Sequence, residues 1–177
     1  MLISDRMTDQ QLVEGCRQGD RCAQRQLFEQ YQRPMYSTVY RITNDEDHAH
    51  DVLQEGFIQV FKDISQFKGT GSLGGWIKTI MVRKALRKIQ YEKRYEPLLP
   101  NSDTDPLVWP SDLSGEVLDQ AIREIPAKCR AVFLLIEVEG YAHREVANML
   151  SISEGTSKSQ LHYAKQLLRT KLKSWYS

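Results

Sequence analysis

Four of the chain's six prolines, Pro97, Pro100, Pro106 and Pro110, lie in one short polar stretch, residues 95–112. Proline ends helices, and a proline cluster mixed with Asn and Asp is typical of a linker. Apolar residues recur at helical spacing on both sides of this stretch, and no strand pair is evident. We therefore predict an all-α chain with two small helical bundles joined by a flexible Pro-rich linker. The predicted domains are residues 1–94 and 113–177.

Composition excludes several classes of protein. The net charge is only +1 over 177 residues, so affinity for nucleic acid has to come from local basic patches. No stretch reaches the roughly 18 consecutive apolar residues of a membrane span, and the N-terminus lacks a signal peptide's apolar run, so we expect a cytoplasmic protein. Cys16, Cys22 and Cys129 fit neither a disulfide framework nor the usual zinc spacing. We expect reduced thiols, no metal and no cofactor.

The N-terminal half has the periodicity of successive amphipathic helices. Helices are predicted to begin at Thr8 and at Asp20, and Pro34 is expected to kink the second helix or to open a third segment. A further helix, predicted over residues 47–65, buries one apolar face and leaves Asp51, Gln54 and Glu55 on the other. These polar residues are either simply solvated or a docking face for a basic partner.

Residues 67–75 contain four of the chain's ten glycines and are predicted to form a loop. The loop lacks the spacing of a phosphate-cradling motif, so we reject a nucleotide site. The helix predicted after it has a basic face, on which Arg83 neighbours Arg87 and Lys84 neighbours Lys88. Such like charges repel unless an anion lies between them, and a phosphate backbone would serve. Trp76 suits core packing or stacking on an unpaired base.

Residues 139–173 have the pattern of a helix-turn-helix. Val146, Ala147 and Leu150 share one side of a short helix, residues 151–153 form the corner, and Ser153 is the predicted N-cap of a second helix. Four residues of that helix follow the helical period and are predicted to face inward, namely Ser157, Leu161, Ala164 and Leu168. Four others are predicted to point outward, where a major groove can accept them, namely Lys158, Ser159, His162 and Tyr163. The alternative is a solvated face on an ordinary helical hairpin.

The order of these parts resembles an RNA polymerase sigma factor of the sigma-70 family, of the small extracytoplasmic-function (ECF) type. The segments that carry the resemblance are DVLQEGFIQVF (51–61), FKGTGSLGGWIKTI (67–80), IPAKCRAVFLL (125–135) and EGYAHREVANMLSISEGTSKS (139–159). The resemblance implies a protein that is not an enzyme. Its N-terminal domain would bind core polymerase and melt the minus-ten element, and its C-terminal domain would read the minus-thirty-five element. The implied partners are core RNA polymerase, promoter DNA and an anti-sigma factor.

The resemblance also implies three sets of site residues. Core polymerase is expected to contact Asp51, Gln54 and Glu55. The minus-ten element is expected to contact Lys68, Gly69, Ser72, Trp76, Lys78, Arg83, Lys84, Arg87 and Lys88. The minus-thirty-five element is expected to contact Arg144, Thr156, Lys158, Ser159, His162, Tyr163 and Lys165.

Several residues depart from the family's usual pattern. Arg83 and Arg87 stand where Asn and Asp are common, and Ser157 stands where an inward valine is usual. The family's promoter preference therefore does not carry over to this chain. Two other functions compete with the sigma factor. A stand-alone helix-turn-helix regulator leaves residues 51–75 unexplained, and a recombinase or nuclease would need a carboxylate cluster or an activated nucleophile.

Overall fold

The structure, a computed structural model, describes residues 7–92 and 114–175, and every regular element in these ranges is helical. The chain divides into two compact units, Met1–Lys88 and Ile89–Ser177. The predicted all-α fold with two helical bundles is confirmed. The predicted linker at 95–112 lies outside the described residues.

Within the described part of the chain, the N-terminal unit contains four α-helices and one 3-10 turn. They are α1 (Asp9–Arg17), α2 (Arg21–Thr43), α3 (Glu46–Asp63), the 3-10 turn Ile64–Gln66 and α4 (Leu73–Glu92). Two helices begin at the residues that the sequence predicts. The Thr8 hydroxyl accepts from the backbone N–H of Gln11 at 3.3 Å, and an Asp20 carboxylate oxygen accepts from that of Cys22 at 2.8 Å. These side chains satisfy N–H groups that a helix start leaves unpaired.

Pro34 does not open a new segment, since α2 continues through it from Arg21 to Thr43. The cost of the missing N–H is one helical hydrogen bond. Leu27 lies before the proline and Met35 and Val39 after it, and all three are buried. Burial of this continuous apolar stripe outweighs the lost hydrogen bond.

Gly56 marks the close approach of α3 and α4. A Cβ atom at this position would overlap the side chain of Met81, which is fully buried. The predicted glycine loop is shorter than expected, because α4 already begins at Leu73. The Ser72 hydroxyl accepts from the backbone N–H of Gly75 at 3.1 Å and stabilises this earlier start. A Cβ at Gly74 would lie 3.0 Å from the Tyr31 ring, so this glycine permits helix packing rather than a loop.

The C-terminal unit contains α5 (Gly115–Arg123), α6 (Ala127–Phe133), the π-helical turn Leu134–Val138, α7 (His143–Leu150) and α8 (Glu154–Trp175). Arg130 is buried, and its Nη1 donates to the backbone oxygens of Arg123 at 2.5 Å and Ile125 at 3.1 Å. The guanidinium thus ties the end of α5 to α6. Val138 lies at the end of the π turn and is 50% exposed. The wider π turn rotates it away from the face that a 3.6-residue period predicts.

The helix-turn-helix is confirmed in its local geometry. Ser151 ends α7 with a left-handed backbone, φ 57°, and the Ser153 hydroxyl accepts from the backbone N–H of Thr156 at 2.9 Å at the start of α8. All four residues predicted to face inward from α8 are buried, namely Ser157, Leu161, Ala164 and Leu168.

The three cysteines are free, with Cys16 and Cys129 buried and Cys22 exposed. Burial, with a smaller contribution from the charge of Asp20, raises the pKa of the Cys16 thiol to about 11. Across residues 7–92 and 114–175, no helix is long and apolar enough to cross a membrane. The same residues contain no group of three His, Cys, Asp or Glu side chains placed to hold a metal ion.

Candidate polymerase and DNA interfaces

The outer face of α3 presents the predicted polymerase-binding residues together. Asp51, Gln54 and Glu55 are all exposed, as the helical period requires. Ile58 follows on the same face and is 55% exposed. The sequence signal for Ile58 is its place outside the buried stripe of α3. The face therefore combines polar groups with an exposed apolar centre.

A groove between α2 and α3 borders this face. It has a volume of about 370 Å³, and Gln54 lines it beside Phe28, Tyr36 and His50. The Phe28 ring lies 4.8 Å from the Phe57 ring at an edge-on angle and remains 36% exposed. The exposure of Phe28 depends on how α2 packs against α3, which helical periodicity alone does not predict.

The opposite edge of the same face contacts the basic helix α4 through two ion pairs. Lys84 Nζ lies 3.6 Å from Glu55 Oε2, and Lys88 Nζ lies 3.0 Å from Asp51 Oδ2. We call these the α3–α4 ion pairs. The sequence indicated that Lys84 and Lys88 need an anion nearby, and phosphate was the expected one. In the structure, carboxylates of the predicted polymerase-binding set supply that charge.

The glycine loop forms one wall of a cavity whose other wall is α1. The cavity has a volume of about 780 Å³, and Lys68, Gly69 and Ser72 are among its lining residues. Gly69 and Gly71 have φ angles of 72° and 98°, which favour glycine, so the backbone can turn beside the cavity. Arg17 Nη2 donates to the backbone oxygen of Phe67 at 2.7 Å and anchors the loop to α1.

Trp76 and the arginines define the rest of the predicted minus-ten surface. The Trp76 ring is half-buried, with its centroid 5.5 Å from that of Phe67. It therefore packs against the loop on one side and reaches the surface on the other. Arg83 and Arg87 are exposed, and Lys78 is half-buried.

The predicted minus-thirty-five residues divide into exposed and half-buried groups. Lys158, Ser159 and Arg144 are exposed, whereas Thr156, His162, Tyr163 and Lys165 are half-buried. Lys158 Nζ lies 3.0 Å from Glu154 Oε1, and Lys165 Nζ lies 2.7 Å from Glu137 Oε1. The hydrogen bond and the charge of Lys158 hold the pKa of Glu154 below its usual value. Lys158 and Lys165, both expected to contact the minus-thirty-five element, therefore have carboxylate neighbours within the protein.

Ser157 has a partner that the sequence did not indicate. Its hydroxyl is completely buried and lies 3.0 Å from Nδ1 of His143, at the start of α7. A buried hydroxyl without a hydrogen bond is costly, so a serine at an inward position signals a partner without identifying it. This hydrogen bond joins the two helices of the helix-turn-helix.

Comparison with known proteins gives two matches that follow the order of the helical units. A sequence profile described as Sigma-70 region 2 matches residues 27–95, and one described as Sigma-70, region 4 matches residues 115–168. Together the two matches span more than half of the chain. The chain belongs to the sigma-70 family. Its relatives identify the ECF type of this family.

Two relatives illustrate the extent of the likeness. The ECF RNA polymerase sigma factor SigE of Mycolicibacterium smegmatis is 29% identical over 154 residues, which cover 81% of this chain and 59% of that protein. The ECF RNA polymerase sigma-E factor of Haemophilus influenzae is 25% identical, with 96% of this chain and 98% of that protein covered. The chain thus spans less than two thirds of the first relative and nearly all of the second.

A solved structure supports the fold. The sigma factor RpoE of Bartonella quintana, crystallised in complex with the anti-sigma factor NepR, matches with a TM-score of 0.62 at 20% identity. The match covers 84% of this chain and 96% of that chain. At this identity the likeness concerns the helical architecture.

Proposed function

We propose that this chain binds core RNA polymerase and directs transcription initiation from a restricted set of promoters. The observation that carries the proposal is the succession of sigma-70 regions 2 and 4 along one chain, with most of region 2 in the first helical unit and region 4 in the second. As a member of this family it is an initiation factor and not an enzyme. Since its partners would be polymerase and promoter DNA, we assign it to the cytoplasm.

The proposed contact with core polymerase is the outer face of α3. Asp51, Gln54 and Glu55 are exposed there around the apolar side chain of Ile58. Protein interfaces commonly combine an apolar centre with a polar rim, and this face has both. Its carboxylates suit a partner surface that carries positive charge.

The proposed contact with the minus-ten element is the glycine loop with α4. The cavity beside Lys68, Gly69 and Ser72 offers space for an unpaired base, and the exposed side of Trp76 offers a stacking surface. The proposed phosphate contacts along α4 are Lys78, Arg83, Lys84, Arg87 and Lys88.

The proposed contact with the minus-thirty-five element is the helix-turn-helix. Exposed Lys158 and Ser159 lie near the N-terminal end of α8, where a recognition helix meets base edges. The remaining proposed contacts are Arg144, Thr156, His162, Tyr163 and Lys165. We further propose an anti-sigma factor as a partner, which is supported by the partner of the Bartonella relative.

Run-off transcription with purified core polymerase tests the proposal. With a library of promoter fragments, we expect transcripts that depend on the added protein and that come from a restricted set of fragments sharing two sequence elements. A protein that binds duplex DNA alone, with no factor-dependent transcript, would instead be a stand-alone regulator.

A matched pair of variants tests the polymerase contact. Gln54→Lys places a positive charge in the proposed contact and is expected to weaken binding to core polymerase at least tenfold. Gln120→Lys makes the same change at an exposed position of α5 and is expected to leave binding unchanged. Equal affinities for the two variants would place the polymerase contact elsewhere.

A further inference from the structure

The α3–α4 ion pairs join two surfaces to which the proposed function gives different partners. Asp51 and Glu55 belong to the polymerase-binding face, and Lys88 and Lys84 belong to the DNA-binding face. The close approach of the two helices at Gly56 explains the geometry. Asp51, Glu55 and Gly56 on α3 contact Lys88, Lys84 and Met81 on α4, in that order. Residue numbers rise along α3 as they fall along α4, so the two helices are antiparallel.

The ion pairs are open enough to be exchanged for other partners. Asp51 and Glu55 side chains are 57% and 61% exposed, and Lys88 and Lys84 side chains are 33% and 24% exposed. Exposed pairs of this kind are weak and are screened by salt. An incoming cation can therefore replace a lysine at each carboxylate, and an incoming phosphate can replace a carboxylate at each lysine.

We propose that Lys84 and Lys88 compete with core polymerase for Asp51 and Glu55, so that polymerase docking and promoter binding strengthen each other. This inference rests on the proposed docking face. The lysines partly neutralise that face and repel a basic partner surface. When the two lysine side chains bind DNA phosphate instead of the carboxylates, this repulsion is relieved. By thermodynamic linkage, polymerase bound at the carboxylates increases the affinity of the lysines for phosphate by the same factor.

The magnitude follows from the exposure of the pairs. Exposed ion pairs are individually weak, so we expect the two pairs together to change affinity by about two- to tenfold. With a coupling of this size, the free chain binds DNA more weakly than the chain that is bound to core polymerase.

Binding of the full-length protein to core polymerase without DNA tests the competition. Lys84→Gln/Lys88→Gln is expected to bind core about two- to tenfold more tightly than the native chain. The gain should shrink as salt is raised, because screening already weakens the native pairs. Lys84→Arg/Lys88→Arg keeps both charges and is expected to retain native affinity. Arg21→Gln/Arg41→Gln removes two exposed charges outside the α3–α4 ion pairs and outside the proposed contacts, and is also expected to retain native affinity.

The outcomes separate this inference from the proposed function. Unchanged affinity of Lys84→Gln/Lys88→Gln, or an equal gain with Arg21→Gln/Arg41→Gln, overturns the competition. Asp51→Asn/Glu55→Gln is expected to bind core more weakly. If that variant binds as the native chain does, the proposed docking face itself is wrong. Circular dichroism and hydrogen exchange of α3 and α4 verify that each variant is folded.

Discussion

Gly56→Ala is expected to have opposite effects on stability depending on the residue at position 81. In the native chain the new Cβ overlaps the Sδ of Met81 and lies 2.8 Å from its Cε. Overpacking of a buried site costs about 1 to 3 kcal/mol, and replacement of a helical glycine by alanine recovers about 1 kcal/mol. Because a methionine side chain can partly adjust, we expect a net destabilisation of about 1 kcal/mol.

In a Met81→Ala background the same change should stabilise the protein. Met81→Ala alone leaves a cavity and costs about 2 to 5 kcal/mol, since the native side chain is fully buried. With the thioether gone, the methyl group introduced by Gly56→Ala no longer overlaps another atom, and the gain in helix propensity of about 1 kcal/mol remains. The sign of the substitution therefore reverses between the two backgrounds.

Native-state hydrogen exchange of amides in α3 and α4 measures both effects. A single global unfolding free energy is unsuitable for a chain of two units. Gly115→Ala is the control, because a Cβ there meets no atom within 4 Å. An equal effect of Gly56→Ala on stability in both backgrounds would mean that the close contact with Met81 is absent.

Three further predictions concern individual contacts. Ser157→Ala and His143→Ala should each lower the stability of α8, measured by hydrogen exchange, by about 0.5 to 1.5 kcal/mol. If the two losses simply add in the double variant, the side chains do not share a hydrogen bond. Lys158→Ala should weaken holoenzyme binding to promoter DNA by about 1 to 3 kcal/mol. The loss should depend on the base at one promoter position if Lys158 contacts a base, and should be uniform across sequences if it contacts phosphate. No loss would indicate that another face binds the DNA. Burial and a 2.9 Å hydrogen bond to Asp9 raise the pKa of Tyr31 from 10.0 to about 12. The folded state thus favours the protonated phenol, so this stabilisation is present below pH 10 and is lost as pH rises to 12. Urea denaturation of native and Tyr31→Phe proteins, followed by a probe within the N-terminal unit, should therefore give pH profiles that diverge over this range.

Local patterns in the sequence were sufficient for the helices and their caps. Thr8, Asp20 and Ser153 cap helices as predicted, because a capping side chain acts within three residues of its own position. The inward set of α8 was also predictable, since it depends on helical periodicity and on the need to bury apolar surface. These features involve neighbours in sequence, and the sequence contains them directly.

Features that depend on contacts between distant residues were not predictable. The α3–α4 ion pairs need the close approach at Gly56, and nothing in the spacing of Lys84 and Lys88 identified Asp51 and Glu55 as their partners. The exposure of Val138 follows from a π turn that no residue pattern announces. The early start of α4 had a partial signal in Ser72, a good capping residue, but the glycine-rich composition favoured a loop.

The placement of the cysteines gives the native chain a ready site for a fluorescent dye. At neutral pH a maleimide reacts with exposed thiolate, and Cys16 is both covered and held protonated by its raised pKa. Cys129 is covered as well, whereas Cys22 is exposed at the first turn of α2. Selective labelling at Cys22 would report on polymerase binding by fluorescence anisotropy without the removal of any native cysteine. The affinity measurements above can therefore be made on the unaltered sequence.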